Sequence, residues 1–171
     1  MNKKISVAVL GSTGYVGLEL INILSNHPNV VIEFLGSSSN YEKNIDEFDK
    51  RLNFKELPKL SSFENINFNN IDLLFLALPH KISQEYIGTK INNFKKLKII
   101  DLSADFRLDN QEVYLQNYDI KHSCPHLLKE FTYGLSEINF NKIKNSNLIS
   151  IPGCYPTSIL LPLIPLFESN L

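Results

Sequence analysis

The sequence predicts an α/β fold built on a doubly wound, mostly parallel sheet. Three observations predict it: short apolar runs recur along the chain, helical patterns fall between them, and turns marked by glycine or proline close the runs. In such a sheet, ligands bind beyond the carboxyl ends of the strands, so the turn after each strand is where chemistry is expected.

Ile5-Ser6-Val7-Ala8-Val9-Leu10 is a short, β-branched run that stops at glycine, as a buried parallel strand should. A helix is expected over 15–24, with Val16, Leu20, Ile21 and Leu24 at helical spacing and His27-Pro28-Asn29 as its stop. The next strand is read over 30–35. The stretch from there to Asn70 carries no clear period. A strand over 73–78 ends at Pro79, which cannot continue a ladder, and a helix follows over 82–94. Further short strands are read at 98–102 and 147–151. An apolar helix over 156–167 closes the chain, with a kink expected at Pro162 and Pro165.

A chain of 171 residues with 43% hydrophobic content can bury one substantial core but not two. Its 17 basic and 18 acidic residues are spread without blocks, so there is no electrostatic footprint for nucleic acid or an anionic membrane. The expected partner is a small molecule. No apolar run approaches the roughly 20 residues of a membrane span, and Met1-Asn2-Lys3-Lys4 does not open like a signal peptide, so the cytoplasm is the expected location. Cys124 and Cys154 lie far apart and neither is in a Cys-x-x-Cys pair, which leaves a single reactive thiol as the reading to weigh.

Gly11-Ser12-Thr13-Gly14-Tyr15-Val16-Gly17 begins where the first strand stops and runs into the first helix. Gly11 suits a tight turn, Gly14 a close approach of pyrophosphate to the backbone, and Gly17 close packing of helix on strand, with phosphate at the helix N-terminus. This context makes the sheet Rossmann-type and the loop a dinucleotide site. The Gly-Lys-Ser/Thr of a triphosphate loop is missing. Where an NAD site would place an acidic residue, at the end of the second strand, the sequence reads Gly36-Ser37-Ser38-Ser39, and Glu33 comes too early. Hydroxyls and amides at Ser37, Ser38 and Ser39 can donate to a 2′-phosphate that a carboxylate would repel, so NADP(H) is expected. The plain alternative is an ordinary polar turn.

Pro152-Gly153-Cys154-Tyr155-Pro156-Thr157 follows a strand and opens a helix. Pro156 fits the first turn, and the positive end of the helix favours a thiolate at Cys154, which is a nucleophile's position. The plain alternative is a small, buried, inert cysteine.

These residues resemble N-acetyl-gamma-glutamyl-phosphate reductase, a family in the semialdehyde dehydrogenase superfamily. The resemblance covers nearly the whole chain. It rests on the glycine loop through Leu20, Leu76-Ala77-Leu78-Pro79-His80, Asp101-Leu102-Ser103-Ala104-Asp105-Phe106-Arg107-Leu108, Tyr133-Gly134-Leu135-Ser136-Glu137 and Pro152 to Thr157. It departs at Ile151, where asparagine is usual, and at Ser136, where proline is usual. The resemblance implies NADPH-dependent reduction of N-acetyl-glutamyl 5-phosphate to the 5-semialdehyde, in arginine biosynthesis, with Cys154 as nucleophile. Ser103 and the Pro79-His80 turn lie at strand ends, where cofactor contacts are expected. Arg107 is expected to hold the departing phosphate, against the alternative of a surface salt bridge.

Family members are about twice as long, and their acid-base histidine lies after the cysteine helix; His27, His80, His122 and His126 do not match its motif. Residues 1–153 are therefore read as an NADP-binding domain and 154–171 as the start of a catalytic one. The apolar face of the last helix would want cover from that part, and a homo-oligomer is expected of the full-length protein. Rival readings are an aspartate-semialdehyde dehydrogenase, a nucleotide-binding module without a reactive thiol, and a metal site at His122-Ser123-Cys124-Pro125-His126.

Overall fold

The structure, a computed structural model, describes residues 3–53, 55–91 and 97–169. Among the described residues, seven strands form one parallel sheet: β1 (Ile5–Leu10), β2 (Val30–Gly36), β3 (Leu60–Ser61), β4 (Leu73–Leu76), β5 (Lys98–Asp101), β6 (Thr132–Tyr133) and β7 (Leu148–Ser150). Their spatial order is β3-β2-β1-β4-β5-β7-β6. The helices are α1 (Tyr15–Ser25), α2 (Ile82–Lys90), α3 (Gln111–Tyr118), α4 (Ser136–Asn145) and α5 (Cys154–Glu168).

Strand side chains alternate between two cores, one on each face of the sheet. Ala8, Leu10, Leu74, Leu76 and Ile99 join Tyr86 and Ile87 of α2 on one face. Val7, Val9, Leu35 and Phe75 join Ile21 of α1 on the other, with Leu18 and Leu24 packed against them. Burial on both faces is why the strands read as continuous apolar runs. In the pairing of β1 with β2, Val7 faces Ile32 and Ala8 faces Phe34, so Glu33 drops out of register and is exposed. That placement removes Glu33 from any strand-end role.

From β1 the chain winds outward through β2 and β3, then returns to β4 on the other side of β1. The reversal point, a crevice where ligands bind in open α/β sheets, therefore lies between the carboxyl ends of β1 and β4. The strand read at 73–78 stops at Leu76, because the Ala77 N–H is the last to reach back to β1, bonding the Leu10 carbonyl at 2.8 Å. The helix expected to reach residue 94 is described as α2 only to Lys90; residues 92–94 lie outside the described residues, as do Met1 and Asn2. The last helix starts earlier than expected, at Cys154 rather than 156. It runs as one helix through Pro162 and Pro165, and none of its residues is buried.

Candidate functional site

The glycine loop is shaped by three different constraints. Gly11 has φ +83°, and a Cβ on it would stand 2.2 Å from the Ala77 carbonyl oxygen. A Cβ on Gly17 would stand 2.2 Å from the Gly11 carbonyl oxygen, which is the close packing of helix on turn that the spacing implied. Gly14 is different. A Cβ there would meet only the Gly11 oxygen at an ordinary 3.5 Å, and the residue is exposed, so nothing inside the protein demands glycine. Space left open above an uncapped helix start is what a pyrophosphate requires. No side chain caps α1, while Tyr15 (96% exposed) and Val16 (54%) leave its first turn facing outward.

Not every loop residue expected to meet the cofactor faces it. Ser12 is buried; its N–H bonds the Gly36 carbonyl and its hydroxyl the Val9 carbonyl at 2.8 Å, so it braces the turn. Thr13 is half-buried. Ser37 is also buried: its N–H bonds the Ser61 carbonyl, and its hydroxyl accepts from Asn40 N–H at 3.3 Å. Ser38 and Ser39 are the exposed hydroxyl residues at the end of β2.

Across the crevice, Pro79 and His80 are exposed. His80 Nδ1 accepts the Ala104 N–H at 2.9 Å, which puts the ring proton on Nε2. Ser103 is buried, and its hydroxyl donates to Asp101 Oδ2 at 2.7 Å and accepts from Asp105 N–H at 3.0 Å, so its proton is committed inside the protein. It belongs to a buried network. Asp101 takes the hydroxyls of Ser83 (2.6 Å) and Ser103, yet burial outweighs them and raises its carboxyl to about 6. Asp105 accepts from Lys81 N–H and Gln84 N–H, both at 3.0 Å, and from the Tyr114 hydroxyl. It thereby caps α2 from another segment, next to Lys81, whose φ is +72°. Asp105 lies in the Leu102–Arg107 motif, and nothing beside it in the sequence marks it as a helix cap. A carboxylate that bonds N–H groups 21 and 24 residues upstream has no local signature.

Cys154 is exposed and is the first residue of α5. Gly153 is the N-cap, with no side-chain cap, so the thiol stands at an open helix start one strand beyond β5. Arg107 does not sit in a surface salt bridge: among the described residues its guanidinium donates to main-chain carbonyls, Nε to Ile151 at 2.8 Å and Nη2 to Leu102 at 3.0 Å. That side of its guanidinium fork is therefore closed to a phosphate. A cavity of about 260 Å³ lies beside it, lined also by Phe106, Tyr133 and Ser150. The departure at Ile151 is harmless to this contact, because the carbonyl is what Arg107 uses. Ser136 opens α4 and bonds Glu137 at its surface.

His122 and Cys124 are buried. His122 Nε2 bonds the Asp105 carbonyl at 3.0 Å and Nδ1 accepts Cys124 N–H, so both ring nitrogens are committed, and burial holds its pKa below the usual value. Burial likewise pushes the Cys124 thiol up. Among the described residues no group of three such side chains could hold a metal, and no helix is long and apolar enough to cross a membrane.

A glycine-shaped turn at the reversal point of a parallel sheet is the form of a dinucleotide-binding α/β domain of the Rossmann class. The chain belongs to the family described as semialdehyde dehydrogenase, NAD binding domain, which it matches over residues 6–146. It is 44% identical to the N-acetyl-gamma-glutamyl-phosphate reductase of Ehrlichia canis over 100% of this chain and 49% of the relative. Against the protein of the same name from Rhodospirillum rubrum the figures are 41%, 100% and 49%. The chain thus spans about half the length of the curated relatives it matches. Among solved structures, aspartate semialdehyde dehydrogenase II from Vibrio cholerae, complexed with ASA, shares the fold with a TM-score of 0.67 at 18% identity, over 97% of this chain and 47% of that one. The enzyme from Candida albicans with NADP gives 0.61 at 20% identity, over 98% and 48%.

Proposed function

We propose that this chain is the nucleotide-binding part, with the nucleophile, of an NADPH-dependent N-acetyl-gamma-glutamyl-phosphate reductase acting in the cytoplasm on a small-molecule acyl phosphate. One observation carries the reading. An exposed cysteine opens a helix on the same sheet edge as the glycine cradle, two strands from the reversal point. Relatives of that name at 41–45% identity support it.

In this reading Gly14 and the first turn of α1 hold the pyrophosphate. Ser38 and Ser39 face the 2′-phosphate, and His80, fixed as the Nε2–H tautomer, offers a donor beside Pro79. The Cys154 thiolate attacks the acyl carbon, the bond from carbon to the phosphate oxygen breaks, and a thioester remains on the chain. A bound reduced nicotinamide supplies the hydride. Cys154 sulfur then departs as thiolate and the aldehyde is released. Residues 1–153 form the cofactor unit. Residues 154–171 begin the catalytic unit, a division favoured by the bare apolar surface of α5, with Ile159 52%, Leu166 46% and Phe167 71% exposed. The full-length protein is a homo-oligomer in this reading.

Three measurements test it. The chain should bind NADP without steady-state reduction; efficient turnover by these 171 residues would refute the division of labour. Iodoacetamide should label Cys154 at least about a hundredfold faster than buried Cys124, and NADP should change that rate. Slow labelling indifferent to NADP would leave only a binding module. N-acetyl-glutamyl 5-phosphate should acylate Cys154 faster than aspartyl phosphate does, and the reverse order would favour the aspartate-semialdehyde reading.

A further inference from the structure

The turn that delivers Cys154 is tied down by one side chain from the neighbouring strand. After β5 the chain doubles back, and Arg107 reaches from that segment across to the one leaving β7. Its Nε donates to the Ile151 carbonyl at 2.8 Å and its Nη2 to the Leu102 carbonyl at 3.0 Å. The main chain reinforces the junction, because Ile151 N–H bonds the Asp101 carbonyl at 2.7 Å. Gly153 then passes so close that a Cβ on it would stand 3.1 Å from Arg107 Nη1 and 3.3 Å from Pro156 Cδ. The φ of Gly153 is −67°, which any residue adopts, so an alanine there would be felt through its crowding of the Arg107 guanidinium and not through backbone conformation. No carboxylate pairs with Arg107 in any ion pair among the described residues, and its guanidinium donates to backbone oxygens at the base of the cysteine turn.

We infer that Arg107 is a positioning residue for Cys154: its planar fork locks the Ile151–Gly153 turn to the end of β5, and Gly153 is glycine so that the guanidinium can lie against it. A lysine has the charge but not the fork, so it cannot hold two carbonyls in this geometry. The inference rests on the proposed function only in naming Cys154 a nucleophile. The clamp itself is read without turnover.

The test is amide hydrogen exchange on the native 171-residue chain and on R107K, R107A and G153A. The probes are the amides of Ile151 and Thr157, the latter bonded to the Gly153 carbonyl at 3.0 Å, with the amide of Ala77 on β4's end as control. Losing charged hydrogen bonds should speed exchange at Ile151 and Thr157 by about tenfold or more in both Arg107 variants, with Ala77 unchanged. G153A should give a smaller increase at the same amides. Iodoacetamide labelling of Cys154 should change by the same factor in R107K as in R107A.

Native-like exchange and labelling in R107K overturn the inference, because charge alone then suffices. So does native-like local exchange in both Arg107 variants, joined to loss of any protection of Cys154 by inorganic phosphate, since Arg107 is then an anion ligand. If the Arg107 variants unfold globally, raising exchange at Ala77 equally, G153A decides: local acceleration supports the clamp and native-like exchange refutes it. A locked turn carrying a thiol that NADP does not affect would sink the proposed function and leave the clamp standing.

Discussion

The two helix starts of this site are built alike and finished differently. Gly14 caps α1 with φ −77° and ψ 160°, and Gly153 caps α5 with φ −67° and ψ 157°; neither has a side-chain cap. Past the cap, α1 buries Gly17 and Ile21 against the sheet, whereas α5 buries nothing. The first turn is held by its own helix. The second is held from outside, by Arg107, and its helix buries none of its residues. A shared local motif therefore fixes where a ligand or thiol is presented, while tertiary packing decides whether the element behind it stands alone.

The largest effect expected from this comparison is at Gly11. Alanine there meets both a left-handed φ and the Ala77 oxygen at 2.2 Å, which should cost on the order of 4 kcal/mol and unfold much of the chain in a urea titration. Alanine at Gly14 should instead stay within about 1 kcal/mol of the parent yet bind nucleotide at least about tenfold more weakly. If both substitutions act on stability alike, the glycines share one structural role and the cradle is not a ligand site.

Next in size is the carboxyl beneath the cysteine turn. Burial raises Asp101 from 3.8 to about 6, so the folded chain binds the proton more tightly than the unfolded one. Stability should then fall as pH rises from about 4 to about 6 and stay reduced above that, by up to about 3 kcal/mol. Asp101→Asn should flatten this part of a curve of denaturation midpoint against pH. A midpoint that rises through the same window with Asp101 present would contradict the assignment.

The smallest effect concerns Ser38 and Ser39. Replacing both with alanine should weaken NADP by about tenfold and leave NAD nearly unchanged, since exposed hydroxyls contribute modestly to a phosphate site. Equal losses for both dinucleotides would return this segment to an ordinary polar turn.

Much of this was legible in the sequence where the cause is local. β1, β2, β4, β5 and β7 announced themselves because burial on both faces selects unbroken apolar runs. β3 and β6 have two residues each, too few to show a period. α3 and α4 were missed because their exposed, polar sequences carry no apolar stripe, although Asn110, which caps Glu112 and Val113 N–H groups, was a readable start. At the site, glycine spacing and the cysteine's place before a helix were local and therefore visible. The fates of Ser12, Ser103 and Arg107 were not. Each looked like a free donor, and each is bonded inward, because a turn with few backbone partners recruits nearby side chains to satisfy its carbonyls and N–H groups.

The shortness of β3 and β6 also bears on how copies of this chain can meet. They are the two edges of the sheet, and each offers only two residues of unpaired backbone. Edge-to-edge growth, the common route by which a parallel sheet recruits a second chain, has almost no template here. Self-association of the purified chain accordingly falls to helix faces, above all the bare surface of α5, and should yield to mild detergent rather than set into strand-paired fibres.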